Sequence, residues 1–348
     1  MKNVTIKIAM AEGTLPNFKD LEAELIGKVE FVVGPVDTSA QVEELTDGAE
    51  GLVVGLHLLD ASRIAALDLS VKVIGRSGVG LDAIDLDAAR RCGVAVVNEP
   101  NYAAAEVATH AVAMLLALQR RLPQSDAAVR SGWGSILDVG PITWALEEVP
   151  VGVLGCGSIG REVVHRLVPF VKEVRFLDPN VNDGGPGARR VADLDELLDN
   201  LGALTLHLPL NEGTRHIIGR SEIRRMRPGS ILVNVSRGGL VDEDELALAL
   251  GDGHLAGAGL DVFEHEPLPE SSSLRSAPNL LMSPHVAWYS DAALKRLGEW
   301  TVADVVSYAT EGKVTYGRLA VAPAGPRAAV QERGSRAASV PRRWEVEV

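Results

Sequence analysis

Two hydrophobic rhythms run through the chain. In its first hundred residues, short runs rich in β-branched side chains at 5–10, 29–33, 51–55, 71–74 and 94–97 predict strands, and residues 17–27, 38–47, 60–67 and 83–91 carry helical spacing between them. Strand and helix in alternation imply a parallel sheet, because parallel neighbours need a crossover. Residues 104–122 are apolar on most sides before a basic end. That pattern predicts a long, buried helix crossing from one lobe to the next. Residues 123–149 show no period and predict an irregular arm, with Trp133 and Trp144 either in a subunit contact or in a packed loop.

The strand rhythm then resumes. Six more strands are predicted, ending near Leu154, Asp178, His207, Ser236, Asp261 and Ser283. They make a six-stranded doubly wound sheet, and a second long helix follows at 290–310. The fold class is α/β, with two doubly wound parallel-sheet domains: a Rossmann nucleotide-binding domain inserted in a flavodoxin-like substrate domain. Residues 1–103 with 291–321 form the substrate domain and 104–290 the nucleotide domain, with a cleft between them. Residues 322–348 are rich in Ala, Pro, Gly, Arg and Ser, a composition that predicts disorder.

One turn carries the strongest chemical signal. Gly155-Cys156-Gly157-Ser158-Ile159-Gly160 follows a strand and opens a helix, and the next strand ends at Asp178. Gly155 permits the tight turn, Gly157 lets a pyrophosphate approach the backbone, and Gly160 lets the helix pack closely. First-turn amides near Ser158 and Ile159 face the anion. Asp178 stands where a carboxylate accepts the ribose hydroxyls, which points to NAD; Arg189 and Arg190 lie too far along to favour NADP. Cys156 reads as a small buried filler.

Bulk properties narrow the partners. The formal net charge of -13 argues against nucleic acid. Two cysteines, Cys92 and Cys156, fit a reducing cytoplasm better than a disulfide scaffold. The N-terminal residues lack a signal-peptide core, and no apolar run is long enough for a membrane span. His265 sits between two acids but has no second histidine at a metal-binding spacing, so no metal site is expected.

Ligands of doubly wound sheets bind outside the carboxyl ends of the strands. Those ends carry Asp178, Arg237, Asp261, Glu266 and His285. A guanidinium fork suits a carboxylate and its adjacent carbonyl. An imidazole exchanges a proton near neutral pH, and a neighbouring carboxylate orients it and favours its protonated form. Arg237, Glu266 and His285 therefore suit a 2-oxo acid beside a nicotinamide. Each also has a bland reading: a surface cation, a turn cap, a hydrogen-bonded core histidine. In the first lobe, Arg76-Ser77-Gly78-Val79-Gly80 follows the fourth strand, and an anion-holding loop and a plain turn stand equal there.

These residues resemble the D-isomer-specific 2-hydroxyacid dehydrogenase family. The matching motifs are the glycine turn with Asp178, residues 226–242 ending in Ser-Arg-Gly-Gly-Leu-Val-Asp, Leu260-Asp-Val-Phe with Glu266-Pro267, and Ser283-Pro284-His285. The resemblance covers residues 5–315. It implies Arg237, Glu266 and His285 as the catalytic set, and Gly78-Val79-Gly80 amides on the substrate carboxylate. It implies cofactor contacts at Ser158, Ile159, Asp178, Pro209, Val235 and Asp261, and a homodimer through the nucleotide domains. Trp288, three residues after His285, is similar to the C-terminal binding protein branch, as is Arg76 and, less closely, His57. An indole in the pocket favours a substrate with an apolar tail. The resemblance implies a D-2-hydroxyacid dehydrogenase. An NAD(H)-sensing interaction protein like the corepressor relatives and a phosphoglycerate dehydrogenase-type enzyme are the alternatives; the acidic stretch 11–17 and the lack of a regulatory domain after residue 320 weigh against the latter.

Overall fold

The computed structural model describes residues 5–14, 24–25, 27–133 and 143–325. The predicted helix at 17–27 lies almost wholly outside the described residues, as do most of the predicted tail and residues 134–142 of the arm. The described chain divides into two compact units, one comprising residues up to 103 and from 289 onward, the other residues 104–288.

In the first unit, β1 (Ile6–Ala11), β2 (Val29–Gly34), β3 (Gly51–Val54), β4 (Val73–Arg76) and β5 (Ala95–Asn98) are parallel, in the order β5-β4-β3-β1-β2. An antiparallel strand, Arg318–Val321, closes the sheet beside β5 and was not evident from the sequence. Successive strand residues point to opposite faces. Ile8, Met10, Val53, Val73, Ala95 and Val97 pack with Val302 and Val305 of helix Asp291–Glu311. Ala9, Leu52, Val54, Ile74 and Val96 join Val42, Ile64 and Ala89 on the other face. Both faces are therefore covered, as a parallel sheet requires. Gly51 and Gly75 let helix Asp291–Glu311 sit close, since an added Cβ would lie 2.5 and 2.3 Å from Val305.

The second unit holds β6 (Pro150–Leu154), β7 (Glu173–Leu177), β8 (Ala188–Arg190), β9 (Ala203–Leu206), β10 (Ser230–Asn234), β11 (Leu255–Leu260) and β12 (Leu280–Met282). Its sheet is seven-stranded, in the order β12-β11-β10-β9-β6-β7-β8, one strand more than the sequence predicted. Chain order reverses beside β6, so the carboxyl ends of β6 and β9 flank a switch point, where ligands of such sheets bind. Leucines of β9, β10 and β11 pack with Leu197, Leu246 and Leu250 from the covering helices. Helix Ala104–Gln119 lies entirely in this unit, against β10 and β11, and does not cross between the units. The arm is not irregular throughout: Leu122–Arg130 is a helix, entered through Arg121 at φ 53°. Trp144 packs under the Arg227 guanidinium, 3.3 Å from its ring centroid, while Trp133 is exposed. No helix among the described residues is long and apolar enough to cross a membrane.

Candidate active site

The glycine turn takes its shape from backbone crowding. Gly155 has φ +88°, and a Cβ there would lie 2.5 Å from the His207 carbonyl oxygen at the end of β9. A Cβ on Gly160 would lie 2.2 Å from the Gly155 oxygen. Gly157 differs, because nothing lies within 4 Å of the Cβ it lacks. It caps helix Ser158–Leu167 without a side-chain hydrogen bond, whereas Thr38, Asp85, Asp242 and Ser290 each cap their helices through a side chain. Uncapped first-turn amides carry partial positive charge. Asp178 reaches back from β7, its Oδ2 accepting from the Cys156 amide at 2.8 Å and its Oδ1 from the Asn180 amide at 2.8 Å.

Arg190 is nearer than the sequence implied. Its guanidinium donates to the carbonyls of Val181 at 3.1 Å and Asp178 at 3.4 Å, because the unpredicted β8 pairs with β7. Arg189 points away, to Glu173 and Glu196. The Cys156 thiol is pushed up to about 11, mainly by burial, so it stays protonated and serves as filler.

Arg237, Glu266 and His285 gather at the carboxyl ends of β10, β11 and β12. Nδ1 of His285 donates to Oε2 of Glu266 at 2.7 Å, and the Phe263 amide donates to Oε1 at 3.0 Å. A carboxylate only accepts, so Nδ1 carries a proton and Nε2 is left to exchange one. The turn after Arg237 lies hard against the Glu266 turn: a Cβ on Gly238 would sit 1.9 Å from the Phe263 carbonyl carbon. Burial pushes the Glu266 carboxyl up, but the His285 hydrogen bond, the Phe263 amide and the fields of His285 and Arg237 outweigh it. The net shift is downward. Arg237 itself donates to the Ser236 carbonyl at 2.7 Å.

His285 sits at φ 54°, a left-handed conformation that costs a non-glycine residue about 1–3 kcal/mol. Its turn is held by Asp261, whose carbonyl accepts from the His285 amide at 2.8 Å. The Asp261 carboxylate accepts from the Val286 and Ala287 amides at 2.9 and 2.8 Å. A second imidazole–carboxylate pair joins His216 Nε2 to Glu264 Oε1 at 2.7 Å, but it is not one of the sequence-predicted strand-end residues. Burial drives the His207 imidazole down to about 3 and keeps it neutral.

Residues 112–287 match the model of the D-isomer specific 2-hydroxyacid dehydrogenase NAD binding domain. The chain belongs to this family. The chain is 35% identical over 295 residues to D-3-phosphoglycerate dehydrogenase of Methanocaldococcus jannaschii, covering 84% of itself and 55% of that protein. It thus spans little more than half of that relative. It is 32% identical over 277 residues to glycerate dehydrogenase of Methylorubrum extorquens, covering 78% of itself and 86% of the relative. A glyoxylate reductase structure from Paecilomyes thermophila superposes with a TM-score of 0.81 at 28% identity, over 90% of this chain and 98% of that one.

The chain's cofactor is NAD, and its residues fit that group. Open space at Gly157, uncapped amides at Ser158 and Ile159 and the Asp178 carboxylate are the groups that would hold the pyrophosphate and ribose. Pro209 is exposed, Val235 buried, and Asp261 almost wholly buried, with three of its acceptor positions already used within the protein.

In the first unit, Gly78 stands at φ +138° after β4, and the Arg76 guanidinium folds over it onto the Ser77 carbonyl. His57 is locked by the main chain: the Gly55 amide donates to Nδ1 at 3.3 Å, and Nε2 donates to the Glu12 carbonyl at 2.8 Å. That leaves no ring nitrogen for a ligand. Trp288 is half-buried, with Nε1 donating to the His285 carbonyl at 3.1 Å. His110, which the sequence did not single out, reaches the His285 turn through Ser283 of the Ser283-Pro284-His285 motif and through Asp261. The separation of 173 residues between His110 and Ser283 left no local signal.

Proposed function

We propose that the chain is an NAD-dependent oxidoreductase interconverting a 2-oxo acid and its D-2-hydroxy acid, with His285 as the proton donor and acceptor. The observation behind this reading is the 2.7 Å bond from His285 Nδ1 to Glu266, which directs the exchangeable proton to Nε2. Bound at the Gly155–Gly160 turn and Asp178, NADH would supply the hydride for reduction of the carbonyl carbon. Nε2 gives its proton to the carbonyl oxygen, leaving a neutral imidazole that solvent reprotonates. Arg237 holds the carboxylate and polarises the carbonyl. Glu266 keeps the imidazole oriented. In the first unit the proposal is confined to its own loop, Gly78-Val79-Gly80, whose amides are donors suited to a carboxylate.

The substrate proposed is a 2-oxo acid with an apolar tail. Trp288 presents an indole whose N–H is already engaged. Leu56 and Leu58 are exposed on either side of His57, whose ring nitrogens are both engaged, so that stretch offers a phosphate no lysine or arginine. Two buried cysteines, Cys92 and Cys156, are in keeping with a cytoplasmic enzyme, proposed here as a homodimer.

Screening a panel of 2-oxo acids for NADH oxidation tests the reading. Turnover of apolar-tailed acids supports it; no turnover of any 2-oxo acid contradicts it. A second reading, oxidation of phosphoglycerate, is favoured by the 35% identity to the Methanocaldococcus relative. Saturable phosphoglycerate oxidation would establish it instead.

A further inference from the structure

Behind the His285 turn lies a hydrogen-bonded arm that the proposed chemistry does not use. His110, on helix Ala104–Gln119, has Nε2 at 3.0 Å from the Ser283 hydroxyl. That hydroxyl lies 2.5 Å from Oδ1 of Asp261. The carboxylate can only accept, so the one serine proton points at Asp261. The serine oxygen must then accept from His110, whose Nε2 carries the hydrogen. The direction of the arm is thereby fixed: His110 to Ser283 to Asp261.

The last member of the arm holds the turn. Oδ1 of Asp261 also accepts from the Val286 amide, Oδ2 from the Ala287 amide, and the Asp261 carbonyl from the His285 amide. Asp261 is 1% exposed, so its orientation depends on these bonds rather than on water. Beyond the turn's own amides, the carboxylate takes the Ser283 hydroxyl as a donor, with His110 Nε2 at 3.9 Å from Oδ1. His285 needs such support because its φ of 54° is one that an L-residue leaves when released.

We propose that His110 is a positioning residue for His285, acting through Ser283 and Asp261 to hold the turn in its left-handed form. This rests on the reading of His285 as the acid–base residue. His110 itself touches neither substrate nor cofactor in this scheme. A misplacement of an ångström at a reacting group costs up to about 10²-fold in rate, so loss of the arm should cost roughly tenfold.

The test uses the full-length protein and compares His110→Ala, His110→Gln, Ser283→Ala and the double alanine variant. The readouts are kcat with the best 2-oxo acid, NADH affinity by fluorescence titration, thermal melting, and amide hydrogen exchange at 285–287. Each alanine variant is expected to lower kcat roughly tenfold without a matching loss of NADH affinity or melting temperature. The double variant should be no worse than the poorer single one, because both cut the same arm. Glutamine, whose side-chain amide donates, should restore most of the rate. Exchange at 285–287 should quicken in both alanine variants, whether or not His285 is catalytic. If His285→Ala leaves turnover intact while that exchange still quickens, the acid–base reading fails and the arm stands. Unchanged exchange in His110→Ala, or a glutamine variant as slow as alanine, would overturn the arm.

Discussion

His285 Nδ1 and Glu266 Oε2 lie 2.7 Å apart, and the Glu266 carboxyl is held below the ordinary carboxylate range. Burial pushes it up, but the hydrogen bonds and positive fields around it win. A depressed acid contributes its stabilisation above its unfolded pKa and loses it as pH falls through the lower folded value. The pair therefore stays intact across neutral pH and fails only in acid. Glu266→Gln should lower kcat for 2-oxo acid reduction at neutral pH and remove the loss of rate that the native chain shows in acid, where its carboxylate takes up a proton. A pH–rate profile in which the acid loss persists would show that the Glu266 carboxylate is not its source.

The glycine turn makes opposite demands at two positions. Gly157→Ala adds a methyl group into open space, so melting should barely change while NADH binding weakens. Gly160→Ala puts a Cβ 2.2 Å from the Gly155 oxygen, so folding and binding should both suffer. Titration calorimetry with NADH alongside thermal melting checks both. Equal effects in the two variants would contradict the assigned geometry.

Cofactor choice turns on Asp178 with Arg190 beside it. The native chain should bind NAD more tightly than NADP. Asp178→Ala should weaken NAD binding by about 1.5–3 kcal/mol, the worth of hydrogen bonds to a charged group. With the carboxylate gone, the Arg190 guanidinium at the same turn is left to attract a 2′-phosphate, and the preference should swing toward NADP. Fluorescence titration with both reduced cofactors measures this; tighter NADP binding by the native chain would refute the role of Asp178.

Glu99 gives the first unit a pH signature. Its side chain is fully buried, neither oxygen has a hydrogen-bond partner among the described residues, and its pKa is pushed up to about 8 by burial first and by Asp304 second. Asp304 is ringed by the amides of Thr315, Tyr316 and Gly317. Between 4.5 and about 8 the folded chain holds a proton that the unfolded chain has released. Stability must fall as pH rises through that window and level off above it. Glu99→Gln should flatten the slope, raising the melting temperature at the alkaline end and matching the native chain at the acid end. An unchanged slope would show that Glu99 is not its source.

Most of the architecture was legible because a two-sided parallel sheet writes continuous apolar runs. Val53 and Val54 serve opposite faces, and both had to be apolar. The misses have physical reasons. β8 is three residues with two exposed arginines, so it has no apolar run to read. Helix Leu122–Arg130 buries none of its residues and so has no stripe. Arg190 looked remote only because β8 was unseen. That Arg237, Glu266 and His285 lie together was legible because strand ends in such a sheet converge. His110 was not, since a helix residue meets Ser283 only after both are packed on the sheet.

Single-turnover reduction of a 2-oxo acid by His285→Ala, followed by NADH fluorescence, bears most directly on the proposal. A drop of about 10²–10⁴-fold in the hydride-transfer rate, with NADH affinity retained, is the expected result. A variant that reduces its substrate as fast as the native chain would contradict it.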